Sequence, residues 1–337
     1  MKHSLLGTLV LAAMLCIPTA ASAIDNNTVE VVYSGSTATV TIAPNISSYV
    51  TCSSGTSSHV VLVQSSTFAG VNATADNTDG EIIYVLSGTS TNGQFYVEGS
   101  YKCTVELKGL TLTCTDGPAL CIMNGKRVSI SAKSGTTSTL TDAANDTYKG
   151  CIHCKGHTKL KGKGTLNVKG NSAHAVYSKE YLEVKNLTLN ITAAVKDGIH
   201  CKEYFLMESG TVKIGGVADD GIQVELDGQT STGTTTGHEE EDTGNFYQAG
   251  GALTISSWGG KAVKADGTIT RSSGTWTGFA ASDCTENNIV GIDSPVSAVT
   301  ASETVYDLQG RRIASGRTVR GMYIVTDGQS VRKVQLK

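Results

Sequence analysis

Two aspartates stand 23 residues apart in nearly the same phrase, Asp197-Gly198-Ile199-His200-Cys201 and Asp220-Gly221-Ile222-Gln223-Val224. Asp219 puts a third carboxyl beside the second. Asp227 and the run His238-Glu239-Glu240-Glu241-Asp242 follow in a loop, 226–250, that leaves the same coil. Hard oxygen donors gathered from several segments are what Ca²⁺ takes, with no demand for strict geometry. The candidate metal ligands are therefore Asp197, Asp219, Asp220, Glu239, Glu241 and Asp242. The same residues also suit a metal-free arrangement, in which aspartates cap tight turns and Lys261 or His174 supplies the counter-charge. No EF-hand or calcium nonapeptide pattern decides between the two.

These phrases recur because much of the chain is a repeat. Aligned copies are Ala119-Leu120-Cys121-Ile122, Cys151-Ile152-His153-Cys154, Ala175-Val176-Tyr177-Ser178, Gly198-Ile199-His200-Cys201, Gly221-Ile222-Gln223-Val224 and Ala262-Val263-Lys264-Ala265. Spacings along the second column, from Leu120 to Val263, are 32, 24, 23, 23 and 41. A period near 23 with short alternating strands predicts the coil of a right-handed parallel β-helix, an all-β fold. The two long spacings predict inserted loops within 133–149 and 226–250. Strand parity points the second and fourth columns inward and the first and third outward.

The outward third column reads Cys121, His153, Tyr177, His200, Gln223, Lys264. Aromatic and hydrogen-bonding groups on a flat face suit sugar rings, so His153, Tyr177, His200, Gln223 and Lys264 are candidate carbohydrate-binding residues. An ordinary exposed face of mixed polar ladders is the alternative. His153 and His200 are two coils apart, about 10 Å, too far to share a zinc ion. The residue before each copy forms its own column: Pro118, Gly150, His174, Asp197, Asp220, Lys261. Stacked coils would bring Asp197 and Asp220 about 4.8 Å apart. Their repulsion would be roughly 1 kcal/mol in water and ~3–4 kcal/mol at an effective dielectric of 20. A bound cation, a raised pKa or neutralising neighbours would relieve it.

Composition agrees with this architecture. The 337 residues include 38 Gly and only 4 Pro, with abundant Thr, Ser and Val and few helix formers. Charged residues make up 17% and the formal net charge is −3, which argues against nucleic acid as a partner. Lys2 and His3, the apolar run Leu5 to Cys16, and Ala21-Ser22-Ala23 read as a signal peptide, residues 1–23, cleaved after Ala23. Leu15 stands where a small residue would precede a lipidated cysteine, so a soluble, exported, monomeric protein is expected, with no membrane span. Its destination would be the medium, the outer surface or the periplasm. Residues 24–100 are expected to form N-terminal strands and a cap, including a hairpin about Ser34-Gly35-Ser36. Residues 101–289 would form the β-helix and 290–337 a small β tail. Eight cysteines remain after cleavage. Cys154 and Cys201 are expected as small core residues, and a Cys121–Cys151 bridge is geometrically allowed.

The stretch from Leu86, LSGTSTNGQFYVEGSYKCTVELKGLTLTCTDGPALCIMNGKRVSI, together with CIHCKGHTKLKGKGTLNVKGNSAHAVYSKEYLEVK, KDGIHCKEYFLMESGTVKI and ADDGIQVE, resembles carbohydrate-binding domain-containing proteins of Bacteroidales bacteria. These are relatives of calcium-containing, pectate-lyase-like β-helix proteins that bind acidic polysaccharides such as polygalacturonate. The resemblance covers most of residues 24–280. It implies calcium on Asp197, Asp219 and Asp220, and on Glu239, Glu241 and Asp242, with lyase activity uncertain or absent. Copies preceded by Pro118, Gly150, His174 and Lys261 lack the aspartate. The tail VYDLQGRRIASGRTVRGMYIVTDGQSVRKVQLK is similar to type IX secretion sorting domains, which implies contact with a secretion machinery. Two enzyme patterns fit less well. A polygalacturonase-like hydrolase needs clustered carboxylates, but Asp79 and Asp219 are about six coils apart by the repeat length. An eliminase needs a base beside calcium, and nothing marks Lys261, Lys264 or Arg271 as one. The expected function is calcium-assisted, non-catalytic binding of an acidic polysaccharide. A uronate lyase and an adhesin-like surface protein are the alternatives.

Overall fold

The computed structural model describes residues 24–144, 147–227, 244–285, 289–291, 304–306, 312–313, 321–326 and 331–336. The signal-peptide reading and Glu239, Glu241 and Asp242 lie outside the described residues.

Among the described residues the chain is all-β apart from two 3₁₀ turns of three residues, and it winds as a parallel β-helix-like coil with three faces. One coil shows the plan. Strand His174–Ser178 lies on the first face, Leu182–Lys185 on the second and Thr188–Ala194 on the third; the chain then returns to the first face at Ile199–Lys202. Each strand pairs in parallel with its equivalents in the coils above and below. Val176 stands opposite Ile199, which stands opposite Ile222, which stands opposite Val263. Short runs with period-2 alternation, broken every few residues by Gly, Ser or Asn, favour this path. Each strand is too short to pair alone, but it finds its backbone partners one coil away.

Ile152, Val176, Ile199, Ile222 and Val263 are all fully buried. Each such side chain contributes about 1.5–3 kcal/mol by leaving water. The fourth column is inward as expected, with Cys154, Cys201 and Val224 fully buried. Phe205 on one coil stacks on Phe246 of the next at 5.1 Å between centroids. All eight cysteines from Cys52 to Cys284 are free thiols, so the Cys121–Cys151 bridge is absent.

Two expectations need correction. The first column does not point outward: Ala119, Cys151, Ala175 and Ala262 are fully buried. It lies at the corner where the chain passes from the third face to the first, and strand parity does not extend through a corner. A Cβ on Gly198 would fall 2.7 Å from the Gly221 carbonyl oxygen of the next coil and 2.7 Å from Ile214 Cγ2, so only small residues fit there. The coil also begins before residue 101, since His59–Gln64 pairs in parallel with Gln94–Gly99, and that strand with Leu120–Asn124. The segments 133–149 and 226–250, within which the inserted loops are expected, also hold regular strands. Thr137–Thr141 is a third-face strand and Asn245–Gln248 a second-face strand.

The N-terminal hairpin forms as read, Thr28–Ser34 against Thr37–Ile42 about Gly35 in a left-handed conformation. Its first strand runs parallel to Ile82–Ser90 and so joins the coil. In the tail, Thr304–Tyr306, Arg312–Ile313, Gly321–Thr326 and Val331–Leu336 form a four-stranded antiparallel sheet. No described helix is long and apolar enough to cross a membrane.

Candidate functional site

The residues at the entry to the first-face strands form a ladder down one corner. His174 Nδ1 lies 3.3 Å from the Asp197 amide, Asp197 Oδ1 accepts the Asp220 amide at 3.0 Å, and Asp220 Oδ1 accepts the Lys261 amide at 2.7 Å. Each side chain thus meets the backbone of the next coil. All three are buried, with Asp197 1% and Asp220 2% exposed.

The two stacked carboxylates are relieved differently. Burial works to raise the Asp197 pKa, but hydrogen bonds with His174 and His200 outweigh it and hold the carboxyl well below its usual range. Burial raises the pKa of Asp220, against the Lys261 amide and the Lys264 ammonium. Lys264 Nζ lies 3.2 Å from Asp220 Oδ2, although that oxygen makes no hydrogen bond. The counter-charge on this side is therefore Lys264, while Lys261 contributes its amide. Burial lowers the pKa of His174 and favours the neutral ring.

The carboxylates of Asp197, Asp219 and Asp220 approach within 4.8 Å of one another, and Asp219 is exposed. As a calcium site the described part is incomplete. Calcium takes six to eight oxygens, yet Asp197 turns one oxygen to two imidazoles, and an ammonium stands beside Asp220.

The third-column strip is brought together, but as a stack. His153 lies over Tyr177 at 5.1 Å and 17°, and Tyr177 over His200 at 5.4 Å and 26°. The ring faces are turned to each other along the coil axis, and Tyr177 and His200 are buried. Tyr148 packs edge-on against His153, and Lys149 lies over the Tyr177 ring. Burial, with Lys149 nearby, lowers the His153 pKa to about 4 and leaves it neutral. Gln223 and Lys264 are half-buried and continue the column; Gln223 donates to Glu225 at 3.2 Å.

Sequence reasoning missed two features on the other side of the first face. One is a cluster of His157, Glu180 and Glu203, equivalent positions on three coils. His157 Nε2 lies 3.4 Å from Glu180 and 3.5 Å from Glu203. Burial opposes the charge on His157, but the two carboxylates push its pKa up to about 9. The glutamates interact, and burial holds a proton on Glu203 beyond its usual range. The 23-residue spacing was the available signal, but the residue types change from coil to coil, so no repeated phrase marks it.

The other missed feature is a groove formed by two adjoining clefts of about 690 and 490 Å³, both lined by Ser100. The first carries Thr51, Val63, Tyr96, Glu98, Met123 and Lys155; the second carries Tyr101, Lys102, Lys126, Arg127, His157, Lys159 and Tyr181. Asp79 and Glu81 brace the floor through Lys102 and Arg127, at 2.7 to 3.3 Å. The Tyr181 ring stacks on His157 at 4.3 Å.

Comparison with known proteins assigns this architecture. A family model for carbohydrate-binding domain-containing proteins matches residues 69–311, more than half of the chain, and the chain belongs to that family. A polysaccharide lyase-like protein from C. thermocellum, solved as a gadolinium derivative, is similar over 78% of this chain and 99% of its own, with a TM-score of 0.55 and 17% identity. At that identity the likeness is one of fold. No curated protein matches this chain.

Proposed function

We propose that the protein is an exported binder of acidic polysaccharide of the polygalacturonate kind, and that the glycan lies along the groove centred on Ser100. One observation carries the reading: on a chain of net charge −3, this groove gathers Lys102, Lys126, Arg127, Lys155 and Lys159 around tyrosines. Asp79, Glu81 and Glu183 pair with Lys102, Arg127 and Lys159, and Glu98 lines the first cleft. The attraction for a polyanion therefore rests on the exposed Lys126 and Lys155, while the tyrosines offer an apolar body with a polar tip. Family membership supports a carbohydrate ligand. Calcium assistance belongs to the proposal, at Asp197, Asp219 and Asp220 of the corner and at Glu239, Glu241 and Asp242, which lie outside the described residues. Export through the N-terminal segment, a right-handed coil and a sorting role for the tail belong to it as well.

Affinity electrophoresis in gels containing polygalacturonate, with a neutral glucan as control and with and without EGTA, tests the reading. Retention by the uronate gel and not by the glucan gel is expected, and reduced retention in EGTA tests the calcium part separately. Equal mobility in all gels would leave the adhesin-like reading.

One observation favours a lyase as the second reading. Burial lowers the pKa of Lys161, opposed by Glu81 and aided by Arg127 and Lys159, and a lowered pKa makes a lysine a better general base for removing a proton next to a uronate carboxylate. Ultraviolet absorbance of unsaturated uronate, lost in Lys161→Ala, would establish it.

A further inference from the structure

Two imidazoles converge on one carboxylate oxygen in the corner described above. His200 Nδ1 lies 2.9 Å from Asp197 Oδ2, and His174 Nδ1 lies 3.0 Å from the same atom. The side chains of His174 and His200 are 8% exposed and that of Asp197 is 1% exposed. His174 Nδ1 also faces the Asp197 amide, so it meets a donor and an anionic acceptor at once. A proton on that nitrogen suits the carboxylate and opposes the amide; a bare lone pair does the reverse. A cation placed between the three atoms would accept lone pairs from both rings and from the carboxylate.

We propose that His174, Asp197 and His200 form a binding site for a divalent transition-metal ion of the zinc class, with the two Nδ1 atoms and Asp197 Oδ2 as ligands. Two imidazole nitrogens and one carboxylate make a borderline donor set, which prefers zinc-group ions to calcium. A second observation concerns the fourth position. Asp220 is 2% exposed, and its Oδ2 is met only by the half-buried Lys264 ammonium at 3.2 Å, which an incoming cation would displace toward solvent. Its carboxylate lies within 4.8 Å of that of Asp197, close enough to turn toward the ion. A third lies behind the ligands: Glu225 Oε2 is 3.3 Å from His200 Nε2, the carboxylate partner that metal-bound histidines characteristically have on the far nitrogen. Tetrahedral zinc, with bonds of about 2.0–2.1 Å, spaces its ligand atoms by roughly 3.3 Å, so each Nδ1···Oδ2 separation need open by only a few tenths of an ångström. The site rests on the geometry of this corner and not on the carbohydrate reading.

The test uses the full, tag-free chain stripped with dipicolinate and titrated with Zn²⁺, Ca²⁺ and, for its visible spectrum, Co²⁺. One equivalent of Zn²⁺ is expected to bind about 100-fold or more tightly than Ca²⁺, with a rise in Tm. His174→Gln and His200→Gln should each weaken Zn²⁺ binding by roughly 30-fold or more, whereas Asp219→Asn should stay within about threefold. Absence of stoichiometric Zn²⁺ binding, comparable Zn²⁺ and Ca²⁺ affinities, or a loss that follows Asp219→Asn but not the histidine variants would overturn the proposal. If a histidine variant fails to fold, ¹⁵N-histidine spectra of the parent decide. Zn²⁺ must then shift the ring signals of two buried histidines among the seven in the chain; a shift confined to exposed histidines overturns it.

Discussion

Asp197 and Asp220, equivalent positions on adjacent coils, are joined by a hydrogen bond: the Asp220 amide donates to Asp197 Oδ1 at 3.0 Å. The step between two like charges is thus part of the corner's backbone bonding. Removing the Asp197 carboxyl leaves a buried amide without its acceptor and two imidazoles facing a void. Asp197→Ala is expected to cost about 3–5 kcal/mol, and Asp197→Asn, which keeps an acceptor oxygen, about 1–2 kcal/mol. Urea unfolding in the presence of a chelator measures both. Because the folded-state pKa of Asp197 is depressed, its contribution is complete above the usual carboxylate range and is lost as pH falls below about 4. The parent should therefore lose stability more steeply on acidification than Asp197→Asn, and parallel acid limbs would contradict the assignment.

The His157 cluster predicts the opposite limb. His157 has a folded-state pKa raised from 6.5 to about 9, so its stabilisation is complete below pH 6.5 and is lost as pH rises toward 9. The proton that burial holds on Glu203 acts in the same direction, since the unfolded chain releases it first. The side chain of His157 is 27% exposed, which screens part of the effect. A loss on the order of 1–2 kcal/mol between pH 6.5 and 9 is expected. Thermal unfolding across that range reads it, and His157→Gln should flatten the profile. An equal slope in the variant would show that other groups carry the dependence.

How far the sequence reached depends on what each residue's position obeys. Ile199 and Ile222 were legible because period-2 alternation and a 23-residue coil both place them inside, and burial of an apolar side chain needs no partner of a particular type. Asp197 and Asp220 were legible as a stack for the same reason. Their neutralisation was not, since it depends on backbone amides and on His200 reaching back three residues. The sugar-binding strip was read from strand parity. Parity gives the side of the sheet but not whether rings present their faces or stack on one another, as Tyr177 and His200 do. The groove arises from two clefts that meet at Ser100, and lining residues as far apart as Thr51 and Tyr181 share no pattern along the chain.

The corrected first column makes its own prediction. A Cβ on Gly221 would lie 2.4 Å from the Ala262 carbonyl oxygen and 3.0 Å from two carbons of Ile255. The carbonyl belongs to the next coil and is held by parallel pairing, so the backbone would have to move. Gly221→Ala is expected to destabilise the coil by about 1–3 kcal/mol. Gly125→Ala, at a position where a Cβ meets nothing within 4 Å, serves as the control and should stay within about 0.5 kcal/mol. If both substitutions shifted the urea midpoint equally, corner packing would not be what fixes small residues in this column.

Groove and strip can be separated by charge. Lys126 and Lys155 are exposed, one in each of the adjoining clefts. Reversing both, as Lys126→Glu with Lys155→Glu, replaces attraction by repulsion along a bound polyanion. An affinity loss of roughly tenfold for polygalacturonate at low salt is expected, shrinking as the Debye length falls to ~3 Å near 1 M. Gln223 lies on the strip and donates only to Glu225, so Gln223→Ala should leave binding within about twofold, a change near the limit of surface effects. Isothermal titration with oligogalacturonate at two salt concentrations reads both variants. A large loss in Gln223→Ala with none in the double reversal would move the glycan from the groove to the face of Tyr177 and His200.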